Sequence, residues 1–255
     1  LHALILASSP YLKETTGFRR LELNEEIEAQ LASLVTPVGR RAPDVHDFNS
    51  GLDANLAAHQ ERNGTRLKLQ QFSTPFPIAR AAFDVLLPQD GDRLLEPTIG
   101  NGTLASSFIG RNVAITGVEL DPARAKRAAR VLDGVEIVEG SFLDKVADLD
   151  QSFEMFLANP PFDNLETNVL VTDRLGSKMT LRRLDHQIAW EGLQRLDPSG
   201  RAFLVLPGDM ITNGALDGAR RFWDNYLRQN YHVAGAAAGP GRAAAGAAVD
   251  EVQAV

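Results

Sequence analysis

The 255-residue chain contains no cysteine. Disulfides, thiolate metal sites and cysteine nucleophiles are therefore excluded together. No apolar run approaches the ~20 residues that a membrane-spanning helix needs, and the amino end lacks a basic segment followed by a hydrophobic stretch. A cytoplasmic protein with no membrane partner is expected. An excess of basic charge is also missing: 26 Lys and Arg against 33 Asp and Glu leave a formal net charge of −7. Any contact with nucleic-acid phosphates must then come from a local basic surface or another segment. His2, His46, His59, His186 and His232 are scattered without ligand spacing, so no metal site is expected. The first residue is Leu rather than Met, and the last ones follow an Ala- and Gly-rich stretch, as expected of a fragment of a longer protein.

What is present is ample apolar material. With 44% hydrophobic residues the chain can fill one large domain, or one domain with appended pieces. Leu23, Ile27, Leu31 and Leu34 recur at helical spacing, with Asn24 as a candidate cap and Glu25, Glu26 and Glu28 in the first turn. A short helix is expected around 52–61, and residues 1–65 read as an accessory helical region. From residue 66 to 255 the pattern becomes strand, glycine turn and helix in alternation, the signature of a doubly wound, mostly parallel Rossmann-like α/β sheet with helices on both faces. Strands are predicted at 93–96, 114–119, 136–139, 153–158, 202–206 and 231–234. Helices are predicted at 77–87, 103–109, 122–132, 186–196 and 216–229. The Ala-rich tail from Gly235 to Ala248 resists assignment and reads as a hairpin.

The tetrapeptide Asn159-Pro160-Pro161-Phe162 directly follows the apolar run Phe153–Ala158. An Asn carboxamide oxygen and the carbonyl of the next Pro can each accept one hydrogen from a planar amine, such as the exocyclic N6 of adenine, and hold its lone pair toward an incoming methyl group. Two prolines fix φ and remove competing N–H groups, so the acceptors are set before substrate arrives. Phe162 supplies a ring on which a base can stack. The chemistry expected of these four residues is methyl transfer to an amino group. Enzymes that methylate carbon 5 of cytosine through a cysteine thiolate are excluded by composition.

Glu96-Pro97-Thr98-Ile99-Gly100-Asn101-Gly102 follows the first predicted strand, where a glycine turn lets backbone approach a ligand closely. Glu119 closes the next strand and can accept from two ribose hydroxyls; Leu120 can pack on an adenine ring. Gly140-Ser141-Phe142-Leu143-Asp144 ends the third, offering a ring and a carboxylate. Three strand ends thus converge on one nucleoside. Upstream, Gln71-Phe72-Ser73-Thr74-Pro75 precedes a helix and can cap it or place a hydroxyl and a ring over the ligand. The glycine turn also partly satisfies the dinucleotide pattern, but a hydride-transfer enzyme has no need of Asn-Pro-Pro-Phe. The segment 163–185 carries Arg174, Lys178, Arg182 and Arg183 and is expected to be a loop on substrate phosphates. Arg124, Lys126, Arg127 and Arg130 read as the solvated face of a surface helix.

Together these residues resemble the N6-adenine DNA methyltransferases, class I enzymes dependent on S-adenosylmethionine, in the gamma order: Phe-x-Thr-Pro before the glycine loop and Asn-Pro-Pro-Phe after it. The match covers roughly residues 68–210. The resemblance implies that Phe72, Thr74, Pro75, Glu96, Pro97, Gly100 and Gly102 hold S-adenosylmethionine, Glu119 and Leu120 its ribose and adenine edge, and Phe142 with Asp144 its adenine. Asn159, Pro160, Pro161 and Phe162 would bind a flipped adenine of DNA and carry catalysis. The segment Gly200–Pro207 resembles the family's strand after the helix that follows the catalytic loop. Two features depart from the pattern: Glu96 stands where Asp is commoner, and no target-recognition domain follows the catalytic core. A separate specificity subunit or a further segment is therefore an expected partner. Related families with Asn-Pro-Pro-Tyr or Phe methylate protein glutamine or ribosomal RNA bases, and an inactive methyltransferase-like module of a restriction or mobile-element protein is the non-enzymatic alternative.

Overall fold

The computed structural model describes residues 25, 26, 28, 29, 32, 74, 76–149, 152–207, 221–238 and 245–250. Helices α1 (Phe76–Leu86), α2 (Pro122–Val131), α3 (Phe142–Lys145) and α4 (Leu184–Leu193) alternate with strands β1 (Arg93–Glu96), β2 (Ala114–Glu119), β3 (Val135–Glu139), β4 (Phe153–Ala158) and β7 (Leu196–Leu206). Strands β5 (Asn164–Thr172) and β6 (Lys178–Arg183) form a separate antiparallel hairpin. Strands β8 (His232–Ala238) and β9 (Ala245–Asp250) close the main sheet, whose order is β3-β2-β1-β4-β7-β9-β8. The first five strands of that order run parallel, and β9 is antiparallel to both of its neighbours. The doubly wound architecture is thereby present.

Burial on both faces explains why Met155–Ala158 of β4 and Ala202–Leu206 of β7 are unbroken apolar runs. Successive side chains point to opposite faces: Phe156 and Ala158 join the cluster under α4 and the 221–230 helix, whereas Met155 and Leu157 join the one under α1 and α2. Each fully buried large side chain contributes about 1.5–3 kcal/mol. The start of α2 is set by Asp121, whose carboxylate accepts from Ala123 N at 2.8 Å and Arg124 N at 3.4 Å, with Pro122 at the first helical position.

Four expectations are corrected. The helix expected at 103–109 is a single 3-10 turn, Ala105–Ser107, in which Ser106 Oγ donates back to Thr103 O and offers the backbone an alternative to the α-helical ladder. The segment 163–185 is not a loop but the β5–β6 hairpin. Its tip is held by Asp173, whose carboxylate accepts from Leu175 N and Ser177 N, with Gly176 at φ 81°. The strand expected at 202–206 begins at Leu196, and the one expected at 231–234 continues to Ala238. The Ala-rich tail supplies β8 and β9 as a hairpin on β7. The expected helix at 52–61 and the start of the one at 216–229 lie outside the described residues. Among the described residues no helix is long and apolar enough to cross a membrane.

Candidate active site

The order β3-β2-β1-β4 reverses direction between β1 and β4, and in such sheets ligands bind beyond the carboxyl ends of the strands at that point. Glu96 ends β1 and Asn159 follows β4, so the two stand on either side of the reversal. One cleft takes in Thr74, Glu96, Pro97, Gly100, Glu119, Leu120, Phe142, Asn159 and Pro161. Its far wall is formed by Leu184 and Ile188 of α4.

The glycine turn is built by backbone needs. Gly100 and Gly102 sit at φ 59° and 84°, where a side chain is strained. A Cβ on Gly100 would stand 2.8 Å from Arg124 Nη2, and one on Gly102 would stand 2.2 Å from Leu132 Cδ1. Gly102 itself does not line the cleft; it lets the turn pack on Leu132. Glu119 holds the turn from below, accepting from Gly100 N and Asp121 N, each at 2.8 Å. Leu120 beside it is 60% exposed, an apolar surface in the cleft rather than a core residue.

Glu96 is buried, and its Oε2 meets no hydrogen-bond donor. Burial, reinforced by the nearby Glu119 charge, pushes its carboxyl well above the usual carboxylate range despite a bond from the Ala105 backbone. A buried carboxylate oxygen without a donor at the mouth of a ligand cleft is an acceptor in reserve for a cationic or N–H-bearing group.

At the other side, Asn159 Nδ2 donates to Thr74 Oγ1 at 2.8 Å, and Thr98 Oγ1 donates to the Asn159 carbonyl at 3.2 Å. Asp163 N takes the Pro161 carbonyl at 3.1 Å. Among the described residues no donor meets Asn159 Oδ1 or the Pro160 carbonyl between these two. The two acceptors expected for a planar amine are the two left open.

Other expected residues are placed differently. Asn159 and Pro161 face the cleft, and the alternation of an extended chain then turns Pro160 and Phe162 away. Pro160 is buried, and the half-buried Phe162 ring packs against the core cluster that contains Leu157 and Phe203. Asp144 is exposed and outside the cleft, because it lies two residues into α3 from Phe142, roughly 200° around the helix. Phe72 and Pro75 lie outside the described residues.

Residues not anticipated also reach the site. Arg124, expected on a solvated face, is 7% exposed. Its guanidinium lies over Gly100 with Nε 3.1 Å from Glu25 Oε2. Burial alone would lower its pKa, but the carboxylates of Glu25, Glu119, Glu28 and Asp121 hold it above its ordinary value. Glu25 also accepts from Asn101 Nδ2 at 2.7 Å, and Glu28, which lines the cleft, accepts from Thr103 Oγ1 at 2.9 Å. Arg130 pairs with Glu26. The helical Glu25, Glu26 and Glu28 and the i, i+3 arginines of α2 thus form one interface. Among the described residues no group of His, Asp and Glu is arranged to hold a metal ion.

No family model matches the chain, and no curated protein matches it in sequence. Solved structures do match. A Listeria monocytogenes protein assigned to the class I S-adenosylmethionine-dependent methyltransferases superposes with TM-score 0.58 at 14% identity, over 82% of this chain and 69% of its own. The assigned modification subunit of a type I restriction enzyme from Vibrio vulnificus gives TM-score 0.55 at 19% identity over 82% of this chain. This chain spans 49% of that subunit's length. A Pyrococcus horikoshii protein assigned as an RNA methyltransferase gives TM-score 0.50 at 13% identity, over 76% of this chain and 92% of its own. At these identities the likeness establishes the fold, that of Rossmann-like methyltransferases.

Proposed function

We propose that the chain transfers a methyl group from S-adenosylmethionine to the exocyclic N6 amino group of adenine in DNA. The observation that carries this reading is Asn159, held in a glycine-turn cleft at the sheet reversal with its Nδ2 committed to Thr74 and its Oδ1 left open; the carbonyl of the next residue, Pro160, would be the second acceptor.

The residues present fit the cofactor. Glu28, Glu119 and Asp121 line the cleft with Arg124 as their basic counterpart, a surplus of carboxylate suited to a ligand bearing sulfonium and ammonium charges, and a bound cation would favour ionisation of Glu96 beside them. When bound, S-adenosylmethionine supplies a methyl group activated by its positive sulfur. Glu96 Oε2 and the Gly100 turn would hold its amino-acid end, and Glu119, Leu120 and Phe142 its nucleoside. Both Glu119 oxygens already take a backbone N–H, so ribose hydroxyls would use the remaining lone pairs.

Asn159 and Pro160 accept the two amine hydrogens, which keeps the nitrogen lone pair free and stabilises positive charge as it develops there. Thr74 and Thr98 keep that arrangement from relaxing. Adenine in a duplex must be flipped to reach this depth, at a cost of a few kcal/mol. Phe162 would stack on the base only by turning its ring from the core cluster toward the cleft. A separate subunit or segment that selects the DNA site agrees with the fold shared with a restriction-enzyme modification subunit.

The test is transfer of isotope-labelled methyl from S-adenosylmethionine to DNA, RNA and protein offered separately, followed by identification of the labelled atom. Label at N6 of adenine in DNA is expected. Label on a protein glutamine or an RNA base would select another acceptor for the same site, and no cofactor binding would remove the enzymatic reading.

A further inference from the structure

We infer that the outward face of the β5–β6 hairpin is the surface that holds the phosphodiester strand flanking the acceptor amine; the inference rests on the methyl-transfer reading above. The hairpin is rooted at the cleft at both ends. It leaves directly after Pro161 and Phe162 and returns at Leu184, and Leu184 N bonds to Asp163 O at 2.8 Å across its base. An acceptor group at Asn159 therefore has its covalent neighbours beside this arm.

The two faces of the arm differ sharply. Val171 and Leu181 are buried in the core cluster under α4, with Val169 and Met179 packed beside them. The opposite face presents Leu170 across from Thr180 and Thr172 across from Lys178, with Arg182 further along β6. All five are exposed, Leu170 by 65%. A large apolar side chain held in solvent between two cations suits the sugar and base surface of a nucleic-acid strand.

The four cations of the segment are not equivalent. Arg183 is tied to Asp185, and Arg174 donates to the Leu193 carbonyl and lies over the Tyr231 ring, so both serve the fold. Lys178 and Arg182 make no ion pair among the described residues. The acids of the arm form no ion pair with them among the described residues: Asp173 is engaged by the turn at the tip and by Asn230 Nδ2, and Glu166 is exposed within the bulge, in the stretch opposite Arg182.

Spacing selects the ligand. Lys178 and Arg182 are four strand residues apart, about 13 Å. They cannot share one phosphate, but each can hold its own on a strand that carries a charge at every nucleotide. A peptide carrying a glutamine acceptor offers no such repeat. For a chain of net charge −7, this strip is the local basic surface that nucleic-acid contact requires.

The experiment compares the full chain with K178E/R182E and K178Q/R182Q. Adenine-containing oligonucleotides, as DNA duplex, single-stranded DNA and RNA, are titrated by fluorescence anisotropy across a salt series. Labelled S-adenosylmethionine is titrated in parallel. The charge reversal is expected to weaken oligonucleotide binding at least tenfold with cofactor affinity unchanged. In both variants the slope of log affinity against log salt should fall by about 1.8 for duplex or about 1.4 for a single strand, the value for two phosphates. Unaltered affinity and slope would overturn the hairpin assignment while leaving methyl transfer intact. A wild-type chain that labels only a glutamine peptide would overturn it as well, and failure of the wild type to bind cofactor would overturn both readings.

Discussion

Asn159 and Thr74, 85 residues apart in sequence, are joined by a 2.8 Å hydrogen bond from the carboxamide Nδ2 to the threonine hydroxyl oxygen. The bond decides which end of the amide faces a ligand: with the NH2 held by Thr74, the accepting Oδ1 is the end left for it. Thr74→Val keeps the shape and removes the acceptor, freeing the amide to rotate. Loss of one such bond is worth about 1–2 kcal/mol, or roughly a 5- to 30-fold fall in kcat. Thr74→Ser should retain most activity. Steady-state kinetics on both variants check this, and equal kcat values would mean that Thr74 does not orient the amide.

Glu96 gives a pH-dependent prediction. Its carboxyl is held above the usual range in the folded chain, so the native state keeps a proton that the unfolded chain releases. Stability attributable to this group is greatest below the unfolded value near 4.5 and is lost as pH rises toward the folded pKa. Glu96→Gln should therefore raise the melting temperature of the ligand-free protein at neutral pH, by about 2–4 °C per kcal/mol of penalty relieved. The same variant should bind S-adenosylmethionine more weakly. Calorimetric melting from pH 4 to 8 with and without cofactor reads both effects.

Gly102→Ala would drive a methyl group into Leu132 and force an L residue to φ 84°. Overpacking and backbone strain together should cost about 1–3 kcal/mol. Denaturant unfolding measures it, and an unchanged midpoint would show that the turn relaxes freely.

Arg124→Met would leave Glu25, Glu28 and Glu119 facing one another without their shared cation. Breaking a buried pair from one side typically costs 3–5 kcal/mol. Adding Glu25→Gln should recover part of the loss, and a double-mutant cycle isolates the coupling. Additive effects would contradict a direct Arg124–Glu25 interaction.

Most of the sheet was legible because β1, β2, β4 and β7 carry short apolar runs followed within a few residues by Pro or Gly. The site was legible where a strand end dictates geometry: Glu96, Glu119 and Asn159 all line the cleft. Three things escaped. The β5–β6 hairpin alternates inward and outward at Val169–Thr172 and Lys178–Arg182 around a turn at Asp173–Gly176, but the apolar Leu170 on the outward face hides that period in the first strand. Strand β9 is mostly Ala, which has little intrinsic strand preference; pairing with β7 and β8 decides its form. Arg124 was assigned to solvent because periodicity within α2 cannot reveal the acidic helix that covers it. The i, i+3 spacing of Arg124, Arg127 and Arg130, set beside the clustered Glu25, Glu26 and Glu28, was the available signal.

The most direct measurement pairs turnover with cofactor binding in Asn159→Ala. Methyl transfer to DNA should fall by at least a thousandfold, on the scale of losing a preorganised transition-state contact, while the Kd for S-adenosylmethionine stays within about threefold of wild type. Undiminished transfer by Asn159→Ala, or a parallel collapse of cofactor binding, would contradict the assignment of the acceptor pair to catalysis.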